Sequence, residues 1–444
     1  MEIFYYTVDM KFRIALLLVL VYVIEVSLRR IESAAEIFDR ERYERSRNRP
    51  KGKPFNPVAN DEKALDFVAL VNAFGYPAEE YTVKTIDGYK IRIHRIPGSP
   101  SNLGTRGKPV VFMQHGLLAS SDSWVLMGPT HDLAYMLADV GFDVWLGNTR
   151  GNTYSRKHVS LSPDYDEDFW RYSFHEIALY DITTAIDYIL QLTNQRQIIY
   201  IGHSMGTTIS YVLLSEKPEY NDKIKLVISL APAAIWHNRS NEITNFLLDH
   251  ADKIRDIIKK GKIYELLPLT NSLVEFGRKI CGNSSPYQKL CLKLQSLFVG
   301  DNLEQTNTSL VAHTLQYLPA GISAHTVDHY SQVVQSGHFK MFDYGIVENF
   351  KIYKQIHPPL YNLSNIVAPI AILYGNGDTL IPAENAVQLS KMLPNVLTIE
   401  TVPDGKFNHL DFLFARDLKI LLNDRLVEII EAPLEEFLLK NHLL

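Results

Sequence analysis

Short apolar runs alternate with helical stretches along most of the chain, and this alternation restricts the fold more than any other feature of the sequence. The strand-like runs cover residues 110–113, 144–146, 198–201, 226–230, 370–374 and 396–402. Strands separated by helices usually pair in parallel and are covered on both faces. The pattern therefore predicts an α/β fold whose mainly parallel central sheet is flanked by helices.

A hairpin is predicted before the first of these strands. Two segments with strand-like alternation, residues 81–85 and 89–93, flank the turn pair Asp87-Gly88. Such a pair between alternating segments is a strong short-range hairpin signal. The sheet is therefore expected to begin with antiparallel strands.

One interval interrupts the alternation of strands and helices. Residues 233–343 have a helical, apolar pattern, and both cysteines of the chain lie within them. We interpret this interval as a helical cap inserted over the sheet, which leaves a core of residues 56–232 and 344–444. A chain of 444 residues is long enough for one large domain with such an insertion.

The amino-terminal segment predicts entry into the secretory pathway. Lys11 and Arg13 precede an unbroken apolar run over residues 14–24, which has the length of a signal-peptide core and is shorter than the ~20 residues that span a bilayer. Residues 1–30 are expected to be a signal peptide. An uncleaved signal anchor is the alternative, because no A-x-A site follows and two arginines lie behind the run. The polar residues 31–55 suit a surface segment or a propeptide.

A secretory compartment would change the chemistry of several side chains. Four N-x-S/T sequons would become candidate glycan acceptors, at Asn238, Asn283, Asn307 and Asn362. Cys281 and Cys291 flank a turn-forming stretch and are expected to close a small loop under oxidising conditions. Two free buried thiols are the alternative in the cytosol.

Composition and motifs exclude several functional classes. The 45 Lys and Arg residues against 50 Asp and Glu residues leave a net charge of −5, so nucleic acid is not an expected partner. Two cysteines cannot build the usual zinc modules, and the H-E-x-x-H pattern is absent. The loop at residues 147–151 lacks the signature of a nucleotide site. We expect no metal and no cofactor.

Residues 202–206, Gly-His-Ser-Met-Gly, carry the clearest indication of chemistry. A G-x-S-x-G pentapeptide between a buried strand and a helix is typical of a nucleophile elbow, in which glycines relieve crowding around a strained, exposed serine. A serine in an ordinary tight turn is the alternative, but it does not account for the flanking strand and helix. A serine nucleophile also needs a base, and the base needs an acid.

The acid and the base are expected after the serine in the order Ser, Asp or Glu, His. Asp378 and His409 follow Ser204 in that order, and each lies in a loop behind a predicted strand. Glu384 and Asp404 are alternative acids, and the chain has 14 other histidines. None of these has a better position relative to a strand end.

The transition state also needs hydrogen-bond donors for a developing oxyanion. The loop after strand 110–113 lies where the second donor loop of such hydrolases is found. The backbone N–H groups of Leu117 and Met205 are the expected donors. His115 and His203 are expected to have structural roles beside this site rather than catalytic ones.

Several motifs in combination resemble the acid lipase family, which includes gastric lipase, lysosomal acid lipase and insect lipase-3-like proteins. The match runs from about Asn56 to about Arg416. The motifs lie at residues 56–57, 75–81, 87–89, 115–120, 147–152, 202–206 and 407–412. The resemblance implies an α/β-hydrolase fold, a helical cap with a lid, and hydrolysis of triacylglycerols or cholesteryl esters.

The resemblance also assigns roles to individual residues. It implies a nucleophile, an acid, a base, two oxyanion donors and a cap disulfide, at Ser204, Asp378, His409, Leu117 with Met205, and Cys281 with Cys291. Vertebrate members usually carry Gln where this chain has Met205, and the Met variant resembles the insect branch. The backbone N–H survives that change, so catalysis is expected to survive it too.

The sequence thus predicts a secreted or lysosomal serine lipase that hydrolyses neutral-lipid esters through an acyl-enzyme intermediate at a lipid–water interface. A carboxylesterase for small soluble esters, with a closed cap, is one alternative. A catalytically silent lipid-binding protein on the same fold is another. The intact Ser-Asp-His set favours an enzyme.

Overall fold

The computed structural model describes residues 64–236 and 241–432. The predicted signal peptide, the polar segment 31–55 and the sequon at Asn238 lie outside these residues. None of the helices within them is long and apolar enough to cross a bilayer.

An eight-stranded sheet forms the centre of the structure. Its strands, in spatial order, are β1 (Glu79–Lys84), β2 (Lys90–Ile96), β4 (Asp143–Leu146), β3 (Val110–Gln114), β5 (Ile198–His203), β6 (Ile224–Leu230), β9 (Ile370–Tyr374) and β10 (Val396–Thr401). A separate antiparallel pair consists of β7 (Glu265–Leu266) and β8 (Ile322–Ser323). The six strands from β4 to β10 in this spatial order are parallel, and β2 pairs antiparallel with both β1 and β4. The predicted hairpin and the six predicted strands are therefore confirmed, with ends that differ by up to three residues.

Helices surround the sheet. The α-helices are α1 (Phe67–Ala73), α2 (Leu133–Asp139), α3 (Phe174–Glu176), α4 (Thr183–Thr193), α5 (Met205–Glu216), α6 (Glu242–Asp249), α7 (Ala251–Lys260), α8 (Asn271–Cys281), α9 (Gln288–Val299), α10 (Val311–Thr314), α11 (Ala324–Ser336), α12 (Ile346–Tyr353), α13 (Ala383–Met392), α14 (Asp411–Phe414) and α15 (Asp424–Glu431). Short 3₁₀ turns lie at Ser121–Trp124, Glu167–Trp170, Pro218–Lys223 and Leu363–Asn365, and π-helical turns at Ile177–Ile182 and Lys419–Asn423. Within residues 233–343 the structure places α6 to α11 and the small β7–β8 pair, which the sequence pattern did not indicate.

The core lies on both faces of the sheet. Along β3, Val110 and Phe112 point into one buried cluster, and Val111 and Met113 point into the other. Alternate side chains of a strand face opposite sides of its sheet, so a strand covered on both faces must be apolar throughout. This explains why the central strands are continuous apolar runs.

Two ion pairs of the buried Arg150 join three segments beside the sheet. The Arg150 side chain, only 1% exposed, lies 2.7 Å from Asp181 and 2.6 Å from Asp87. Its guanidinium also lies 3.9 Å from the centre of the Tyr89 ring. Burial raises the pKa of Asp181, and Arg150 opposes that shift. Arg150 lies in the loop after β4, Asp87 in the β1–β2 turn and Asp181 in the π-helical turn Ile177–Ile182, so the two ion pairs connect these three segments.

Loss of Arg150 should destabilise the fold strongly. Arg150→Met would leave the buried Asp181 carboxylate without its cation, and such losses cost about 3–5 kcal/mol in free energy of unfolding. Urea unfolding measures this. Arg171→Met is the matched control, because Arg171 and its partner Asp168 are both exposed and should contribute less than about 1 kcal/mol. Equal destabilisation by the two variants would contradict the prediction.

Candidate active site

Ser204 lies in a strained turn between β5 and α5. Its φ of 52° and ψ of −117° are unusual for a residue with a side chain. The Ser204 N–H donates a hydrogen bond of 3.0 Å to the carbonyl of Leu230 at the end of β6. The side chain is thereby held at the carboxyl edge of the parallel strands, where active sites of open α/β sheets lie.

The two glycines of the pentapeptide are required by close backbone contacts. A Cβ on Gly202 would lie 2.6 Å from the carbonyl carbon of Gly206. A Cβ on Gly206 would overlap the carbonyl oxygen of Gln114 at the end of β3. The turn can therefore form only if both positions lack a side chain, which is why this spacing marks the elbow.

The structure brings Ser204, His409 and Asp378 together. The Ser204 Oγ lies 2.8 Å from Nε2 of His409, and Nδ1 of His409 lies 2.7 Å from Oδ2 of Asp378. The side chains of His409 and Asp378 are 5% and 1% exposed. With the proton on Nδ1, His409 donates to the carboxylate and its Nε2 accepts from the serine hydroxyl. This is the geometry of a nucleophile, a base and an acid that orients the base.

The second oxygen of Asp378 is held by the backbone. Oδ1 accepts hydrogen bonds from the N–H groups of Leu380 (2.9 Å) and Ile381 (2.8 Å). Both oxygens therefore have donors, and the carboxylate has one favoured orientation. The alternative acids lie elsewhere: Glu384 is in the first turn of α13, and Asp404 accepts a hydrogen bond from Asn302.

The loop after β3 lies against the serine. A Cβ on Gly116 would lie 3.1 Å from the Cβ of Ser204, so the adjacent Leu117 N–H is close to the elbow. In the described part of the chain, the N–H groups of Leu117 and Met205 have no hydrogen-bond acceptor. Two unused donors beside a nucleophile suit a developing oxyanion.

His115 holds this loop in place. Its Nδ1–H donates to the carbonyl of Gly116 (2.8 Å), and its Nε2 accepts from the N–H of Thr149 and the amide of Asn152, both at 3.3 Å. Burial lowers the pKa of His115 to about 4. The histidine is therefore a neutral bridge between two loops, in agreement with the structural role expected from sequence.

His203 packs beside the base. Its Nε2–H donates to the backbone carbonyl of His409 at 3.0 Å, and the two rings are 5.0 Å apart. Burial, with a contribution from His409, lowers the pKa of His203 well below its ordinary value. A neutral His203 adds no positive charge next to the His409 ring.

The interval 233–343, predicted to be a cap, contains a disulfide. Cys281 at the end of α8 is bonded to Cys291 in α9, with 5.4 Å between their Cα atoms.

Among the sequons in the described residues, Asn283 and Asn362 are exposed and Asn307 is partly buried. Within the same residues, no group of three or more His, Cys, Asp or Glu side chains is arranged to hold a metal ion.

The sequence did not indicate which residues support His409. Its N–H donates to the carbonyl of Val299 at the end of α9, at 3.3 Å. Asp411, two residues further on, is tied to Asn302. No local motif marks these contacts, because they join segments more than 100 residues apart.

A mainly parallel eight-stranded sheet with a strained serine elbow defines the α/β-hydrolase fold. The sequence model of a protein family described as a partial alpha/beta-hydrolase lipase region matches residues 67–128. The family model described as alpha/beta hydrolase fold matches residues 109–256. The crystal structure of a Sulfolobus solfataricus protein superposes with a TM-score of 0.54 at 14% identity, over 80% of this chain and 93% of that chain. This likeness concerns the fold alone.

The relatives narrow the class to one family. Lipase 3 of Drosophila melanogaster is 39% identical over 80% of this chain and 90% of the relative. Lysosomal acid lipase/cholesteryl ester hydrolase of Macaca fascicularis is 36% identical over 84% and 92%, and human gastric triacylglycerol lipase is 37% identical over 80% and 88%. The chain belongs to the acid lipase family of α/β-hydrolases.

The neutral state of His115 predicts a pH-dependent stability. The unfolded chain binds a proton at this residue near the ordinary pKa of 6.5, whereas the native state does so only near 4. The contribution of neutral His115 is thus complete above pH 6.5 and is lost as the pH falls toward 4, by roughly 3 kcal/mol in all.

Urea unfolding of the wild type and His115→Asn between pH 7 and pH 4.5 measures this contribution. The advantage of the wild type over the variant should shrink as the pH falls. Other buried histidines titrate in both proteins and cancel in the difference. A difference that stays constant over this range would contradict the prediction.

Proposed function

We propose that this protein is a serine lipase that hydrolyses ester bonds of neutral lipids, triacylglycerols or cholesteryl esters, through an acyl-enzyme intermediate. The observation that carries the proposal is the hydrogen-bonded line from Ser204 Oγ through His409 to Asp378. Relatives of the same family named as triacylglycerol lipases and cholesteryl ester hydrolases support the substrate class.

The proposed mechanism follows from the geometry. Ser204 Oγ attacks the ester carbonyl carbon while His409 Nε2 takes the hydroxyl proton. The N–H groups of Leu117 and Met205 stabilise the oxyanion of the tetrahedral intermediate. As the C–O bond breaks, His409 gives the proton to the leaving alcohol, and the acyl group stays on Ser204. A water molecule, deprotonated by His409, then releases the fatty acid and restores the serine.

Asp378 is proposed to act on the base rather than on the substrate. Its Oδ2 accepts the Nδ1–H of His409, which keeps Nε2 free to accept the serine proton. The negative charge also stabilises the imidazolium that forms during both transfers. Burial of the pair strengthens this interaction, because little water competes for it.

The cap is proposed to comprise residues 233–343 and the core residues 56–232 and 344–444. Helices α6 to α11 of this interval lie outside the eight-stranded sheet. The interval carries several large apolar side chains that are exposed, at Leu247, Phe276, Tyr287, Leu290 and Phe298. An exposed apolar surface of this kind suits contact with a lipid–water interface.

A secretory or lysosomal location is proposed with this function. The Cys281–Cys291 disulfide fits an oxidising compartment. The exposed sequons at Asn283 and Asn362 are accessible to glycosylation. A signal peptide over residues 1–30 would deliver the chain there.

Turnover of an emulsified long-chain triacylglycerol and of a soluble short-chain ester tests the proposed function. The wild type should hydrolyse the emulsion faster, and Ser204→Ala should lower kcat by at least about 10³-fold, because the acyl-enzyme cannot form. Ser210→Ala is the matched control, since Ser210 is also a buried serine of α5 but donates only to the carbonyl of Thr207. It should retain activity.

The outcomes separate the candidate functions. Turnover of the soluble ester alone would favour a carboxylesterase with a closed cap. Lipid binding without turnover of either substrate would favour a silent binding protein. Equal activity in Ser204→Ala and the wild type would exclude Ser204 as the nucleophile.

The hydrogen bonds of Asp378 predict the effect of replacing its carboxylate with an amide. In Asp378→Asn, the amide oxygen would remain with the N–H groups of Leu380 and Ile381, so the NH₂ group would face His409. Nδ1 would then have to accept, and Nε2 would carry the proton and could not act as a base. We expect kcat to fall by about 10²–10⁴-fold, with melting temperature changed little. A loss below tenfold in steady-state assays would contradict this role.

A further inference from the structure

A segment of the cap lies between the loops that carry Asp378 and His409. Residues 298–302, here called the strap, comprise the last two residues of α9 and the three residues that follow it. The carbonyl of Phe298 accepts from the side chains of Asn241 (2.8 Å) and Thr379 (3.4 Å). The carbonyl of Val299 accepts the His409 N–H at 3.3 Å. The strap therefore contacts both loops through its own backbone.

The strap approaches these loops closely at Gly300. This residue has a φ of +104°, and a Cβ there would overlap the carbonyl oxygen of Gly377 and lie 3.1 Å from the Cβ of Asn408. The carbonyl of Gly300 accepts from the side-chain amide of Asn408 at 3.2 Å. A glycine at this point lets the cap backbone lie directly against the residues that flank Asp378 and His409.

Asn302 makes the side-chain contact of the strap. It is 3% exposed, and its Nδ2 donates to Oδ2 of Asp411 (2.8 Å) and to Oδ2 of Asp404 (3.0 Å). The same Asp411 oxygen accepts the N–H of Asn408 at 2.8 Å. Asn302 is thereby linked to the turn 408–411, which contains His409.

The charge around Asn302 explains why an amide occupies this position. Burial raises the pKa of Asp411 to about 6, and the nearby Asp404 and Asp378 carboxylates add to the shift. A carboxylate at position 302 would repel those of Asp404 and Asp411. An apolar side chain there would leave the oxygens of these two residues without the donor that Asn302 supplies. An Asn supplies two N–H donors without a negative charge.

We propose that Asn302 is a positioning residue for the reaction: through Asp411 it sets the turn 408–411 so that His409 Nε2 stays within hydrogen-bond distance of Ser204. This inference rests on the proposed function. It makes the strap, a part of the cap, necessary for the geometry of the catalytic base. Misplacement of a catalytic group by about 1 Å can cost 10²-fold in rate.

The test is Asn302→Leu, which keeps the approximate shape of the side chain and removes its donors. Activity is measured on a soluble short-chain ester, which avoids interface effects, and is expressed per site labelled to completion by a fluorophosphonate. We expect kcat per labelled site to fall about 10–100-fold with KM changed less than about threefold, because substrate contacts are intact. Gln305→Leu is the control, since Gln305 lies just beyond the strap and bonds Asp417 instead; its kcat per site should match the wild type.

A second pair of variants tests the same hydrogen bond from its other partner and serves if Asn302→Leu does not fold. Asp411→Asn keeps an oxygen that can accept from Asn302 and Asn408, so it should retain kcat within about fivefold. Asp411→Leu removes the acceptor and should lose about 10–100-fold per labelled site. A merely structural role would lower the labelled fraction of both variants and leave kcat per site unchanged.

The outcomes distinguish this inference from the proposed function. If Ser204→Ala matches the wild type on the soluble ester, the proposed function fails and this inference fails with it. If the wild type is active and Ser204-dependent, but Asn302→Leu equals Gln305→Leu per labelled site, the positioning role alone is wrong. Equal activity of Asp411→Asn and Asp411→Leu would also overturn it.

Discussion

The strained turn at Ser204 is the constraint on which the arrangement of the site depends. A residue other than glycine keeps a φ of 52° only where the surrounding structure compensates for the backbone strain. Here β5 and β6 do so, because the Ser204 N–H is bonded to Leu230 and the glycines at 202 and 206 allow the strand, the helix and β3 to meet closely. The apolar packing on both faces of the sheet supports a polar, strained site at its edge.

Burial determines the electrostatics of that edge. Asp378 and His409 are nearly inaccessible to water, so the hydrogen bond between them is stronger than it would be in solvent. Burial lowers the pKa of the neighbouring His115 and His203 and keeps both rings neutral. Each of these rings donates an N–H hydrogen bond to a backbone carbonyl of the site. Three adjacent histidines thus have different chemistry because each has different hydrogen-bond partners.

Buried polar contacts connect the interval 233–343 to the rest of the described chain. On one side Glu265 of β7 pairs with Arg156, which also bonds Asp164 at 2.9 Å. On the other side Asn302 bonds Asp411 and Asp404. Such contacts are directional and are costly to break when buried. These contacts join the interval 233–343 to the loop after β4 and to the His409 loop, although the segments are distant in the sequence.

The sequence by itself determined the local features: the apolar strands, the Asp87-Gly88 hairpin, the elbow at Ser204, and the order in which Ser204, Asp378 and His409 follow strand ends. Each of these leaves a pattern within a few residues, because strand alternation and tight turns restrict neighbouring side chains. Only the tertiary structure decided that β4 lies between β2 and β3, that Arg150 is buried against Asp181, and that Asn302 reaches Asp411. These contacts depend on how distant segments pack, and no short-range pattern records them.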